Sequence, residues 1–173
     1  MRIIETKAYK YDELTEEAKA IAVTKLYDIN VGDFEWWDGV YDDAETVGLK
    51  VTGFDIGRGA ICDMKYTQDA CLTAHKIEEN HGETCETYQT AENFQKERDR
   101  VVNEAPRDEN GDFENEQELD EQIDEVEAEF LKSISEDYRI ILQKEYEHLT
   151  SEEAIIETIR CNEYEFTEAG KLI

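Results

Sequence analysis

The sequence predicts an α+β fold, with a small antiparallel sheet packed by N-terminal helices and a long acidic helical hairpin. Residues 49–57 and 59–66 have strand character, and Gly57-Arg58-Gly59 between them is typical of a hairpin turn. Apolar residues recur every three or four positions over residues 116–148, which predicts a helix of roughly 50 Å at 1.5 Å per residue. The single proline, Pro106, ends the helical segment before it, so the two helices are expected to pair.

The N-terminal elements follow from caps and periodicity. A strand is expected within residues 2–11, where side chains alternate between two faces. A helix follows, with Thr15 as its N-cap and Glu16 and Glu17 in the first turn, where carboxylates suit the helix dipole. A second helix is expected from a cap at Asp33 to Gly48, which closes it.

The rest of the chain is predicted to be mostly helical. Helices are expected over residues 69–82 and 84–104, then a loop over 105–115 with Asn110-Gly111 in a turn. The long helix carries an apolar stripe of Leu119, Ile123, Val126, Phe130, Ile134, Tyr138, Ile141 and Leu142. A last helix begins at Thr150 or Ser151, with Glu153 placed for a capping box, and a hairpin-like tail turns at Gly170.

These elements are expected to form one domain over residues 1–173. Residues 1–83 make its α+β part, residues 84–148 the helical hairpin with an acidic tip, and residues 149–173 a C-terminal helix and short β tail. The chain is expected to bury a real core, because 39% of its 173 residues are hydrophobic.

The chain is strongly acidic. It holds 45 acidic and 18 basic residues among 173, for a formal net charge of -27. Such charge repels nucleic acid and anionic membranes and favours basic surfaces, including those that normally hold DNA or RNA. With no signal-peptide pattern and no apolar run near 20 residues, a cytoplasmic location in a host cell with reduced thiols is expected.

The acid excess is densest between Arg107 and Lys132, where no basic residue occurs. On a helix these carboxylates stand roughly 5–6 Å apart, and duplex DNA carries one negative charge per roughly 1.7 Å of axis. A rod of carboxylates is therefore a plausible stand-in for a phosphate backbone. The predicted partner-binding acids, called the acidic block below, are Asp108, Glu109, Asp112, Glu114, Glu116, Glu118, Asp120, Glu121, Asp124 and Glu125.

Two other interpretations of the acidic block stay open. A run of charge is commonly only a solvated helix face, and acidic surfaces also occur in halophilic organisms, although lysines persist elsewhere in this chain. A calcium loop starting at Asp108 is disfavoured, because Phe113 stands where the loop needs glycine and Leu119 where it needs glutamate.

A second candidate site is a cluster of cysteine and histidine. Cys71, His75, His81 and Cys85 are spaced C-x3-H-x5-H-x3-C, and two thiolates with two imidazoles are a suitable set for tetrahedral zinc. The separation of the two pairs is tighter than in ordinary zinc fingers. The alternative is two small buried thiols and two surface histidines, with no cofactor.

No motif predicts catalysis. The chain lacks a phosphate-binding glycine loop, GxSxG and HExxH, so a non-enzymatic protein is expected. Trp36 and Trp37 are adjacent and face different directions on a helix. One arrangement places Trp37 in the core and Trp36 at its edge; the other makes Trp36 an apolar anchor for a partner.

Both ends of the chain resemble a known group of proteins. The stretch "YKYDELTEEAKAIAVTKLYDIN", the following "WWDGVYDDAETVGLKVTGFDIGRG" and the closing "EYEHLTSEEAIIETIRCNEYEFTEAGKLI" resemble small acidic phage and prophage proteins, some of which carry the label antitoxin. The resemblance implies a phage or mobile-element origin. It implies a shared fold, rather than an active site, for Tyr9, Tyr11, Asp12, Leu14, Ala18, Trp37 and Gly53.

These observations predict a phage-encoded inhibitor that binds the basic, nucleic-acid-binding surface of a host defence complex, either a CRISPR effector or a restriction enzyme. It would act as an acidic nucleic-acid mimic, with no direct binding to nucleic acid or membrane. The alternatives are an antitoxin that neutralises one basic toxin, and a zinc-stapled structural module. The long apolar stripe also allows a homodimer through the long helix.

Overall fold

The computed structural model describes residues 7–33 and 35–173, and within them the predicted α+β fold is confirmed. The helices are α1 (Glu16–Lys25), α2 (Asp38–Thr46), α3 (Ala70–Asn80), α4 (Glu86–Glu104), α5 (Glu116–Leu149) and α6 (Glu152–Cys161). The strands are β1 (Tyr9–Lys10), β2 (Leu49–Asp55), β3 (Ile61–Tyr66) and β4 (Glu165–Phe166).

The strands form two separate antiparallel pairs. β1 pairs with β4, and β2 pairs with β3. The strand predicted over residues 2–11 is seen at Tyr9–Lys10 and gives way to a 3-10 turn at Tyr11–Glu13. The part of that prediction on residues 1–6 lies outside the described residues.

The contacts within the chain divide it into two compact units. One comprises the described residues up to Trp36 together with Lys144–Ile173, and the other comprises Trp37–Gln143. The boundaries differ from the three parts expected along the sequence, because the first unit gathers two segments that are distant in the chain. That the whole chain behaves as one domain stays a prediction.

The first unit is built around α1 and α6. The cap at Thr15 is confirmed, since Thr15 accepts the backbone N–H of Ala18, and of the two predicted starts of α6 it is Ser151 that caps, accepting the N–H of Ala154. The third helical residue of α6 is therefore Ala154, and the capping box predicted at Glu153 does not form. The tail turns at Gly170, whose φ of 75° favours glycine and where any Cβ would overlap the backbone oxygen of Ala18. The buried core of this unit is Tyr11, Leu14, Ala18, Ala22, Ile155, Ile159 and Phe166.

The second unit begins with α2, whose predicted start is wrong. The helix begins at Asp38 and not near Asp33, because the carbonyl of Trp37 accepts the first N–H groups, from Val40 and Tyr41. The Trp37 ring packs edge-on against Phe54 of β2, with ring centroids 5.6 Å apart. Trp37 thereby serves as the N-cap residue and joins the helix to the β2–β3 hairpin.

The predicted helical hairpin is formed by α4 and α5. Phe94 of α4 stacks on Phe130 of α5, with centroids 4.3 Å apart and an interplanar angle of 13°. The Thr90 hydroxyl donates to the Asp137 carboxylate at 2.6 Å. α5 spans Glu116–Leu149, one residue longer than expected, and its residues up to Gln143 belong to the second unit.

Candidate functional site

The loop between α4 and α5 is braced by its own basic residue. Arg107 and Phe113 form an isolated antiparallel bridge, and the Arg107 guanidinium lies 4.0 Å from the centroid of the Phe113 ring. The same guanidinium donates to the carbonyl of Gly111 at 3.0 Å. The loop's own cation is thus engaged by a ring and a carbonyl oxygen, and the surrounding carboxylates are left to solvent.

Asp108 is tied into the same loop. Its carboxylate accepts the backbone N–H groups of Asn110 at 2.7 Å and Asp112 at 3.0 Å. These hydrogen bonds lower the pKa of Asp108, the one from Asn110 having the largest effect. Gly111 has a φ of 91°, as the predicted Asn110-Gly111 turn requires. The carboxylate therefore stays ionised well below neutral pH.

The start of α5 is fixed by Asn115. Its side-chain oxygen accepts the backbone N–H of Glu118 at 3.2 Å, and its side-chain nitrogen donates to the Glu118 carboxylate at 3.1 Å. An asparagine cap and a carboxylate three residues later both suit a helix N-terminus. The helix axis, and with it the row of acids, is defined from its first turn.

The acidic block is exposed throughout, at each of its ten positions. Within residues 7–33 and 35–173, none of its carboxylates forms an ion pair. Carboxylates further along α5 differ: Glu129 lies 3.2 Å from Lys132, and Glu136 lies 2.7 Å from Arg139. The block is a surface of like charge that the chain does not neutralise by contact.

The apolar stripe holds this part of α5 against the rest of its unit. Leu119 and Phe130 are buried, and Ile123 and Val126 between them are half-buried. The Tyr66 hydroxyl of β3 also donates to the backbone carbonyl of Glu127 at 2.8 Å. The acids therefore project from a helix that is anchored along one face.

Trp36 belongs to the other unit. It is half-buried, and its ring centroid lies 5.6 Å from that of Tyr146. Part of its surface is therefore taken by an internal aromatic contact. Its role as an apolar anchor for a partner stays a prediction.

The predicted zinc cluster does not form. Among the described residues, which include all four candidates, no three or more histidine, cysteine or acidic side chains are placed to hold a metal. His75 faces Glu79, one turn away on α3, at 3.3 Å. His81 ends α3 and turns to Asp43 and Thr87, while Cys71 is half-buried and Cys85 is exposed. Contacts made by His81 with distant parts of the chain override the local spacing.

The second unit contains a partly buried polar network that the sequence patterns did not predict. The Tyr138 hydroxyl donates to Asp43 at 2.6 Å. His81 Nε2 lies 3.3 Å from the other oxygen of Asp43, within ion-pair distance but without hydrogen-bond alignment. His81 Nδ1 is 2.7 Å from the Thr87 hydroxyl. The network joins α2, the end of α3, α4 and α5.

This network has the residue types of a hydrolase triad but not its exposure. Thr87 and Tyr138 are both buried, with exposed fractions of 3% and 0%, so neither hydroxyl is presented to a substrate. His81 and then Tyr138 lower the pKa of Asp43, and burial raises the pKa of Tyr138. The arrangement fixes helix packing. No local motif could have revealed it, because its residues are spread over positions 43–138.

Comparisons with protein-family models, with curated proteins and with solved structures find no match to this chain. Of the helices that the structure describes, none combines the length and apolar character needed to cross a membrane.

Proposed function

We propose that this protein is an inhibitor of phage origin that occupies the basic, nucleic-acid-binding surface of a host defence complex and acts as a nucleic-acid mimic. The observation that carries the proposal is the acidic block, ten exposed carboxylates of which none is ion-paired among the described residues. CRISPR effectors and restriction enzymes hold nucleic acid in positively charged channels, where such a surface competes.

The geometry of the block supports this function in two ways. From Glu116 to Glu125 the helix rises about 14 Å at 1.5 Å per residue, the scale of several phosphates along duplex DNA. The block is also preorganised, because the cap at Asn115 and the buried Leu119 hold the helix before any partner arrives. A mimic of this kind binds through long-range electrostatic attraction, so its affinity falls as the salt concentration rises.

The experiment compares two variants of equal charge. The block variant carries Asp120→Asn, Glu121→Gln, Asp124→Asn and Glu125→Gln. The control variant carries Glu17→Gln, Glu45→Gln, Glu83→Gln and Glu168→Gln, four exposed acids outside the block. Tagged proteins are immobilised, a lysate from cells that express CRISPR and restriction systems is applied, and bound proteins are eluted by a salt gradient and by duplex DNA.

Retained proteins are identified by mass spectrometry, purified and assayed for DNA binding in the presence of each variant. We expect the native chain and the control variant to block DNA binding, and the block variant to be at least about tenfold weaker, since several charge contacts are lost. Equal inhibition by both variants would overturn the proposal. One small basic partner that survives high salt and is not displaced by DNA would instead identify an antitoxin.

A further inference from the structure

A cleft of about 350 Å³ opens between α4 and α5, within the second unit. Its floor contains Phe94, Val126 and Phe130, and its rim carries Glu97, Glu125 and Glu129. The volume lies at the lower end of the range for ligand-binding pockets, roughly 300–1,000 Å³. The cleft combines a mostly apolar interior with carboxylates from both helices.

The floor is set by a fixed aromatic pair. Phe94 and Phe130 are stacked 4.3 Å apart, and each is almost fully buried. Beside them, Thr90 is already hydrogen-bonded to Asp137. The bottom of the cleft therefore offers apolar contact, and Thr90 is already engaged, while Asn93 and Ser133 complete the polar part of the lining.

The three rim carboxylates are not equivalent. Glu97 is held by Arg100 through two contacts of 2.6 and 3.0 Å, and exposed Lys132 lies 3.2 Å from Glu129. Glu125 belongs to the acidic block and has no ion-pair or hydrogen-bond partner among the described residues. Glu125 and Glu129 are four residues apart on α5, so they stand roughly 5–6 Å apart on one face. The free charge of the rim thus lies at Glu125.

We propose that this cleft receives one arginine side chain from the basic protein partner, as the anchor point of the acidic surface. The inference rests on the proposed function for the source of that arginine. The aliphatic stem lies on the apolar floor, and the guanidinium reaches Glu125 and Glu129 at the rim. An acidic side chain would meet like charge there, and an uncharged one would leave Glu125 without a partner.

Arginine fits this site better than the other basic residue. Its planar guanidinium is more weakly hydrated than an ammonium group and presents several donors to adjacent carboxylates. Arginine is also enriched among the few residues that dominate binding energy at interfaces. The cleft therefore adds a specific contact to a surface that otherwise attracts by diffuse charge.

The first test uses a defined probe and the full chain. The peptide acetyl-Gly-Arg-Gly-amide is titrated into labelled protein, and NMR shifts of the Val126 methyl groups and the Phe94 and Phe130 rings are followed. The matched probe replaces arginine with citrulline, which has nearly the same shape without the charge. We expect saturable shifts at these residues with the arginine peptide and at least about tenfold weaker binding of the citrulline peptide. Equal binding of the two peptides, or shifts confined to other residues, would overturn the proposal.

Variants then separate the cleft from diffuse attraction. Glu125→Gln is compared with Glu121→Gln, an exposed acid one turn earlier on α5 that does not line the cleft. We expect Glu125→Gln to lower the affinity for the arginine peptide about fivefold, and Glu121→Gln to lower it less than about twofold. Val126→Trp, which fills the cleft without changing charge, should lower the affinity for the arginine peptide at least about tenfold. Equal effects of the two glutamine variants would show that only overall charge matters, and would contradict the site.

The failure of this inference and that of the proposed function are distinguishable. The peptide titration needs no defence complex, so arginine binding in the cleft can hold even if the chain inhibits none. Conversely, the inhibition assay can succeed while the peptide leaves Val126 unshifted. That result would leave a mimic that acts by diffuse charge and refute the arginine site alone.

Discussion

The two stretches of α5 on either side of Phe130 belong to one helix but differ in what their side chains contact. Over residues 116–125, the acids are exposed and Leu119 is the buried apolar residue. Over residues 130–143, Phe130, Ile134, Tyr138 and Leu142 are all buried. The comparison teaches that one regular apolar stripe can serve two purposes, building a core at one end and holding up a charged surface at the other.

The charges of the two stretches differ in the same direction. In the later stretch, Glu136 is paired with Arg139 and Asp137 accepts a hydrogen bond from Thr90. In the earlier stretch, like charges such as Asp120 and Asp124 stand at i, i+4, which costs a few tenths of a kcal/mol per pair. The acids between Glu116 and Glu125 thus have no ion pair among the described residues, whereas Glu136 and Asp137 have partners within the chain.

The strongest test of the comparison removes an apolar side chain from each stretch. Ile134→Ala empties a fully buried site and should lower the free energy of unfolding by about 2–5 kcal/mol. Ile123→Ala, at a half-buried site, should cost less than about 1 kcal/mol. Urea unfolding followed by both circular dichroism and tryptophan fluorescence measures the two values. Equal losses would show that the apolar stripe contributes equally to the free energy of unfolding along its length.

A second test concerns the partly buried network that contacts the later stretch through Tyr138. The pKa of Asp43 is lower in the folded chain than in the unfolded chain. Its ionisation therefore stabilises the fold at pH values above the unfolded pKa, about 3.9. That contribution is lost as pH falls through the folded pKa. Asp43→Asn should therefore lower the free energy of unfolding at pH 7 by less than about 1 kcal/mol, because the Asp43 side chain is 45% exposed and solvent screens its interactions, and the difference from the native chain should shrink on acidification.

The control for this test is Asp42→Asn, an exposed neighbour on α2. Thermal unfolding of the three proteins between pH 7 and pH 3 gives the comparison. If the difference between Asp43→Asn and the native chain stays constant over that range, ionisation of Asp43 does not contribute to stability.

The smallest expected effect is on the charged stretch itself. The four substitutions of the block variant remove two like-charge pairs, Asp120–Asp124 and Glu121–Glu125, and should raise stability by about 0.5 kcal/mol at low salt. The gain should vanish in 1 M salt, where the screening length is about 3 Å. Thermal melts with the control variant at both salt concentrations provide the measurement. A loss of stability at low salt would mean that these acids support the helix.

Much of the fold could be predicted because its signals are local. The caps at Thr15 and Ser151, the turn at Gly170 and the start of α5 depend on residues within one turn of each other. The hairpin of β2 and β3 likewise follows from its glycines and strand character. Local hydrogen bonds and backbone preferences decide such features before any tertiary contact is made.

The predictions that failed depend on partners distant in sequence. The spacing of His81 from Cys71 and Cys85 predicts a zinc cluster, but the His81 imidazole lies 3.3 Å from Asp43, which belongs to another helix. The start of α2 was placed at Asp33, but the helix begins where Trp37 packs on Phe54. For the candidate site, the sequence predicted which residues are acidic and exposed, whereas the cleft arises only where α4 and α5 pack.

The separation of the acidic block from the protein's own amines makes it a selective chemical handle. A carbodiimide joins a carboxylate directly to an amine without a spacer, so crosslinking requires the two groups to touch. Because no described lysine forms an ion pair with the ten carboxylates of the acidic block, and no lysine occurs between Arg107 and Lys132, a covalent link formed at one of these ten points outward to another molecule, whereas a link at Glu129 can be internal, to Lys132. Trypsin would release the segment as one peptide, residues 108–132, carrying the attached fragment of whatever bound there.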